Sequence, residues 1–339
     1  MKYKIKFKVC ISLLMMIFLL ISGTVFAKDN FRILETKNSD GTITRVYEKN
    51  KTEQLYSTEL RSSSTDYNEI KCILKELGME DSFINNLTQD DLEFYNNSPR
   101  IVGKIAYIKS SPEGMKKIVS ENEALEEVAI LNQKNLIVPY SGSEHKQDTY
   151  QDDYMRVFHM VSQDRYSSSF RHSTDARWLR MPFFRRVDSI GSCAQETSVT
   201  PGTESGYCEY NVQYLYPWGP SEKVFRKNDI SKNDFNRAHF SGFNGAAAKL
   251  YLPKDIYSNE STSIVYSDYK AHFQFDGRVQ HPDQSIYFDS IGTYDHLRYE
   301  IGFEPGIAIG KDGGSISIGL SLSNGNDKRS VPLQIYYQP

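Results

Sequence analysis

An excess of charge of either sign, cysteine, tryptophan and long apolar runs are all scarce in this 339-residue chain. A formal net charge of −3 gives nucleic acid no electrostatic hold. Past the first 27 residues no stretch approaches the roughly 20 apolar residues of a membrane helix. Catalytic motifs are missing as well. The stretch GIAIGKD, Gly306 to Asp312, has three residues between its glycines where the phosphate-cradling GxxxxGK[ST] has four, and Asp312 stands where a Mg²⁺-binding hydroxyl belongs. There is no HExxH, GxSxG, GxGxxG or CxxC. No cofactor or metal is therefore expected and the balance leans away from an enzyme, although groups that converge from distant strands need no local motif.

What is present begins with an address. Lys2, Lys4, Lys6 and Lys8 precede an apolar run from Val9 to Ile21, and Val25 and Ala27 supply the small residues of a cleavage site, so residues 1–27 read as a secretory signal peptide. Cleavage there moves the net charge from −3 to −7, because it removes four lysines and no acid, and it leaves no stable membrane anchor. The expected location is extracellular. In an oxidising compartment Cys193 and Cys208, which flank the turn-rich AQETSVTPGTESGY, are expected to form one disulfide. Cys72 sits among Ile70, Ile73, Leu74 and Leu77 on an expected helix and reads as a buried, inert thiol.

Composition divides the remainder. Residues 28–139 read as a small α+β region. In it NSDGT closes a hairpin, Gly78 stops a first helix, Thr88 with Asp91 caps another, RIVGKIAYIKS is a strand, and Ser120 with Glu123 opens a last helix from Glu121. A polar linker is expected at 140–153, followed by an all-β domain, 154–339, built as an antiparallel β-sandwich. Cys208, Tyr210, Val212, Tyr214 and Tyr216 alternate with polar residues, as do Tyr269, Ala271, Phe273 and Phe275 before a turn expected at Asp276-Gly277. Leu297, Tyr299, Ile301 and Phe303 repeat the pattern, and so do Val331, Leu333, Ile335 and Tyr337.

One hairpin pulls in two directions. Ile316, Ile318, Leu320 and Leu322 alternate with Ser315, Ser317, Gly319, Ser321 and Ser323, as a lipid-facing strand would. The arm before it carries Glu304, Pro305 and Gly306, and no aromatic residue stands between Gly306 and Val331, so the hairpin is expected within a soluble sandwich, with a β-pore as the alternative.

Candidate site residues are few. His272 and His296 fall on the polar faces of two expected strands, near Asp268 and Glu300, where paired strands could assemble an acid–base or metal site. Solvated strand histidines are the plainer reading. Tyr207, Tyr216 and Trp218 cluster near the expected disulfide and are candidates for a ligand surface, while most of the 23 Tyr and 18 Phe alternate as core.

Two stretches, ILKELGMEDSFINNLTQDDLEFYNNSPRI and ARWLRMPFFRRVDSIGSC, resemble segments of secreted proteins of Gram-positive bacteria that have no assigned activity. That resemblance implies an exported bacterial protein and carries over no functional residue. The expectation is an extracellular binding protein for a ligand, envelope polymer or protein partner. The alternatives are a secreted hydrolase with an N-terminal pro-segment and a β-pore-forming toxin.

Overall fold

A computed structural model describes residues 25–28, 31–49, 67–111, 115–135, 152–165, 167–182, 187–240, 243–256, 261–297, 307–309, 316–318 and 326–339. The first strands are β1 (Val25–Lys28), β2 (Phe31–Lys37), β3 (Ile43–Lys49), β4 (Arg100–Ser110), β5 (Lys116–Val119), β6 (Asp153–Gln163), β7 (Ser169–Arg180), β8 (Val187–Gln195) and β9 (Thr197–Val199). They are followed by β10 (Ser205–Leu215), β11 (Glu222–Asp229), β12 (Phe235–Phe240), β13 (Phe243–Tyr251), β14 (Ser263–Val279), β15 (Ile286–Leu297), β16 (Ile307–Ile309), β17 (Ile316–Ile318) and β18 (Asn326–Tyr337). The helices are α1 (Asn68–Leu77), α2 (Asp81–Asn85), α3 (Gln89–Asn97) and α4 (Glu121–Asn135).

An eleven-stranded antiparallel sheet runs β1-β2-β3-β4-β6-β7-β14-β10-β11, with β5 beside β4 and β9 beside β14; a five-stranded sheet runs β12-β13-β8-β15-β18. Neither closes into a barrel. The large sheet is covered on both faces. On one face Ile101, Ile105, Phe158 and Met160 meet Ile70, Leu74, Leu77 and Phe83 of α1 and α2. On the other, Val157, Ala176, Trp178 and Phe273 meet Ile190, Ala246, Leu250 and Tyr294 of the small sheet. Strand β6 is therefore buried from Tyr154 to Ser162 without a break. Period two survives in it only as a choice of layer: Phe158 faces helix, Val157 faces sheet.

The helices form where the sequence places them. Thr88 accepts from the Asp91 N–H and Asp91 accepts from the Thr88 N–H, completing a capping box. Gly78 ends α1 at φ +117°, and a Cβ there would stand 2.6 Å from Ile105 Cδ1. With α1 turned so that its apolar residues meet the sheet, Cys72 lies on the opposite, exposed side, which corrects the expectation of a buried thiol.

Three further expectations change. Cys193 and Cys208 are both buried thiols with no bond between them. Cys193 packs with Phe243, Ala247 and Ile291 on the outer face of the small sheet. Cys208 lies on the large sheet, facing inward, where its Sγ accepts from Tyr269 Oη at 2.9 Å. The small sheet itself separates the two sulfurs. Asp276-Gly277 does not turn; β14 runs through both, paired with Arg171 and Phe170, because Arg171 grips Asp276 across the strands at 2.8 Å. Residues 140–151 of the polar linker lie outside the described residues, and its two flanks share one sheet, β4 pairing with β6 from Ile101↔Ser162 to Ser110↔Asp153. At the chain start, β1 pairs with β2 from Val25↔Leu34 to Lys28↔Phe31, so cleavage after Ala27 would remove three of its four residues.

The two sheets approach closely at Gly292, where an added Cβ would stand 2.6 Å from His159 Cβ and Cγ. Overpacking of this kind costs about 1–3 kcal/mol. Urea unfolding is expected to show that loss for Gly292→Ala, against a change within about 0.5 kcal/mol for Cys72→Ser on the exposed face of α1.

Candidate functional site

The buried histidines among the described residues fall into three clusters. Between the sheets, Ser290 Oγ lies 2.8 Å from His159 Nε2 and 3.0 Å from His172 Nδ1, and His159 Nδ1 lies 3.0 Å from the Ser173 carbonyl. A carbonyl only accepts, so His159 Nδ1 carries the proton and its Nε2 is bare. Ser290 then donates to His159 and accepts from His172 Nδ1–H. That leaves His172 Nε2 as an acceptor without a partner, as observed. A serine beside an imidazole has the outline of an activated nucleophile. Here Ser290, His159 and His172 are each 0% exposed, so the chain of hydrogen bonds ties the sheets together and reaches no substrate. Burial drives both imidazole pKa values down to about 3, with the neighbouring His159 adding to the effect on His172.

His272 and His296 do not converge with each other. His272 lies under the helices, its Nδ1 2.6 Å from Asp175 Oδ1 and its ring between Phe83 and Tyr207. His296 lies between the sheets, its Nδ1 2.9 Å from Asp188, which also accepts from Tyr294 Oη at 2.6 Å. Asp268, near which His272 was placed, faces Arg177 instead, and Glu300 lies outside the described residues. Among the described residues no group of His, Cys, Asp and Glu has the arrangement of a metal site. The aromatic trio also separates: Tyr207 stacks beside His272 and packs against the core beneath the helices, whereas Tyr216 and Trp218 project from the turn between β10 and β11.

The remaining element is the hairpin of β16 and β17. Its register is Ile307↔Ile318, Ala308↔Ser317 and Ile309↔Ile316. Among the described residues the two strands pair with each other and with neither sheet, which corrects the expectation of a hairpin built into the sandwich. Strand β16 lies beside β12 and β13, and β17 beside β8 and β15. Since the inner face of that sheet is filled, the hairpin crosses its outer face, where Cys193, Phe243, Ala247 and Ile291 are buried. Small residues make this seat. A Cβ at Gly191 would stand 2.3 Å from Ala247 Cβ, and one at Gly245 2.7 Å from Cys193 Cβ. Both ends of the segment 298–325 hang from one place, because Leu297 and Asn326 are the last pair of the β15–β18 ladder. Only the alternation at 315–323 hinted at this element, and the seat on β8 and β13 had no signal in the sequence that spacing could detect.

No protein-family model and no curated protein matches the chain. Among solved structures it is similar to one titled "Pore forming protein", at 8% identity over 70% of this chain and 96% of that one, with a TM-score of 0.24. It is similar also to the Clostridium perfringens delta-toxin, at 6% identity over 70% of this chain and 90% of that one, with a TM-score of 0.18. A third, the Clostridium perfringens NetB toxin in its membrane inserted form, shares 7% identity over 69% of this chain and 100% of that one, with a TM-score of 0.18. Scores of this size establish no common fold.

The two buried histidines set a pH dependence. Their folded pKa values lie below the ordinary 6.5, so the unfolded chain binds more protons as pH falls, and stability, complete above about 6.5, declines toward pH 3. Between pH 7 and 5 each histidine is expected to cost about 2 kcal/mol, read by urea unfolding. His172→Phe should remove about half of that slope.

Proposed function

We propose that the protein is exported and forms a β-lined membrane pore, to which each copy contributes the segment 298–325 as one hairpin. The observation that carries this reading is the β16–β17 hairpin. It is bonded to itself, laid on a small-residue seat, and suspended from the open end of the β15–β18 pair. Continued along the sequence, its register would set Phe303 opposite Leu322 and Pro305 opposite Leu320, in line with Ile307–Ile318 and Ile309–Ile316. The intervening positions would pair Glu304 with Ser321, Gly306 with Gly319, Ala308 with Ser317 and Gly310 with Ser315. One face would then be apolar and the other small and polar, as a ribbon between lipid and a water-filled lumen requires.

Length agrees. The 28 residues of 298–325 give two arms of roughly a dozen each, and a tilted membrane strand needs about 9–11. A single hairpin in lipid leaves unpaired backbone on both edges, which costs several kcal/mol per group, so insertion demands several copies closed into a ring. Pro305, which lacks an N–H, remains the weakest position of the ribbon. A hydrolase receives less support, since its acid–base candidates occupy separate, buried layers.

Purified protein beginning at Lys28 is expected to release dye from liposomes and to form ring-shaped oligomers. Ile318→Arg should abolish release while leaving the melting temperature within a few degrees, because a cation on the lipid face costs about 2–4 kcal/mol in every copy. Cys193, buried at the seat, should become reactive to a thiol reagent when liposomes are added, and Cys208 should not. Equal leakage by the Ile318→Arg protein, or no leakage by the parent, would refute the pore.

A further inference from the structure

The strand registers define two ends of the body. Ser110 pairs with Asp153, Tyr154 with Arg180, and Leu215 with Ser263, so these residues mark one end of the large sheet. In the small sheet Tyr251 pairs with Val187 and His296 with Asp188. The ring contacts of Trp178 with Tyr294 and His296, against those of Phe170 with Phe288, bring that end of the small sheet to the same side. Segment 298–325 therefore leaves from the end that also carries the turn between β4 and β5, the turn between β10 and β11, and the residues that follow β13.

Exposed large apolar side chains concentrate there. Met115 is 71% exposed, Tyr216 41%, Trp218 99%, Tyr251 62% and Ile256 52%. Of the other exposed large apolar residues, Leu125 and Ile130 lie on α4, Phe225 lies three residues in from the Glu222 end of β11, and Tyr287 lies at the opposite end. Proline holds the tip: Trp218 stands between Pro217 and Gly219-Pro220, so presenting the indole to a partner costs little conformational entropy. Lys223 and Lys254 are exposed around the same rim. Of the carboxylates there, Glu222 already accepts from Tyr216 Oη, and Asp255 is half-buried and accepts from the Tyr266 N–H.

We infer that this end is the surface by which the protein docks on a phospholipid bilayer, with Trp218 and Tyr216 as its interfacial anchors and the lysines facing lipid phosphates. The inference rests on the pore reading for its choice of partner. In that reading the segment 298–325, joined to the body at Leu297 and Asn326, enters the bilayer, so the bilayer lies against this end. The chemistry fits independently. Tryptophan and tyrosine combine an apolar ring with one polar atom and gather at the headgroup level, and exposed lysines add attraction to phosphate.

The chain has 2 Trp, and Trp178 is buried, so a change in indole emission on adding vesicles reports Trp218. With vesicles of phosphatidylcholine and phosphatidylglycerol, the protein beginning at Lys28 is expected to float with the lipid. Its emission should shift to the blue and be quenched by lipids brominated near the headgroup. Tyr216→Ser with Trp218→Ala should weaken binding about tenfold or more, while Tyr287→Ala at the far end leaves it unchanged. The Ile318→Arg protein should still bind and shift while failing to leak, which separates docking from pore formation. Binding with quenching but no leakage would sink the pore and keep the docking surface. Leakage without quenching of Trp218, unweakened binding by the double variant, or no binding to these vesicles would overturn the docking surface.

Discussion

Coverage of the large sheet on both faces is the constraint from which the rest of the architecture follows. A sheet with one wet face places its polar residues there without penalty, whereas β6, β7 and β14 have no wet face over most of their length. Each polar side chain on them therefore needs a partner, either across the strands, as Asp175 serves His272, or from an adjoining layer. Toward the small sheet, His159 and His172 share Ser290. Toward the helices, Arg171 reaches Asp91 of α3 at 2.7 Å and lies over the Phe94 ring, while Arg156 and Arg177 both reach Glu80 ahead of α2. These links fix which helix sits over which strand, a selectivity that apolar contact alone supplies poorly.

The hairpin on the outer face of the small sheet is held differently. The helices are fastened by buried ion pairs and by a shared apolar core. The hairpin shares no backbone ladder with the sheet beneath it among the described residues, and its seat sets Gly191, Gly245 and Ala247 beside Cys193, Phe243 and Ile291. Without a shared ladder, no strand pairing has to break for it to depart. Departure would leave both sheets paired as they are, because 298–325 joins the body through the Leu297–Asn326 end of a ladder that is complete without it. A body that stays folded while one segment leaves is what insertion requires, and the aromatic rim at that same end would hold the body at the right height above the lipid.

Local structure was legible in the sequence wherever one face of an element differs from the other. Alternation marked β10, β18 and part of β14, while the alternation from Leu297 to Phe303 lies, past Leu297, outside the described residues; Thr88 and Asp91 marked the start of α3, and Gly78 the end of α1. Strands β6 and β7 were harder, since a strand covered on both faces loses its contrast: in β6 apolar residues stand on both faces, broken by Arg156 and His159. Asp276-Gly277 has the composition of a turn, and a cross-strand arginine held it straight. The histidines were visible as residues; their partners, Asp175, Asp188 and Ser290, lie far from them in the chain.

By itself, then, the sequence determined the strands whose two faces alternate and the helix bounds set by Thr88 and Gly78, because period and capping are properties of a few neighbouring residues. Tertiary structure decided what covers each face: that the two cysteines lie on either side of a sheet and remain thiols, that Cys72 faces water, and that the Ile307–Ile318 hairpin rests outside the two-sheet body. Alternation records that the faces of a strand differ, but the layer that meets each face comes from elsewhere in the chain, and that choice is made by long-range packing.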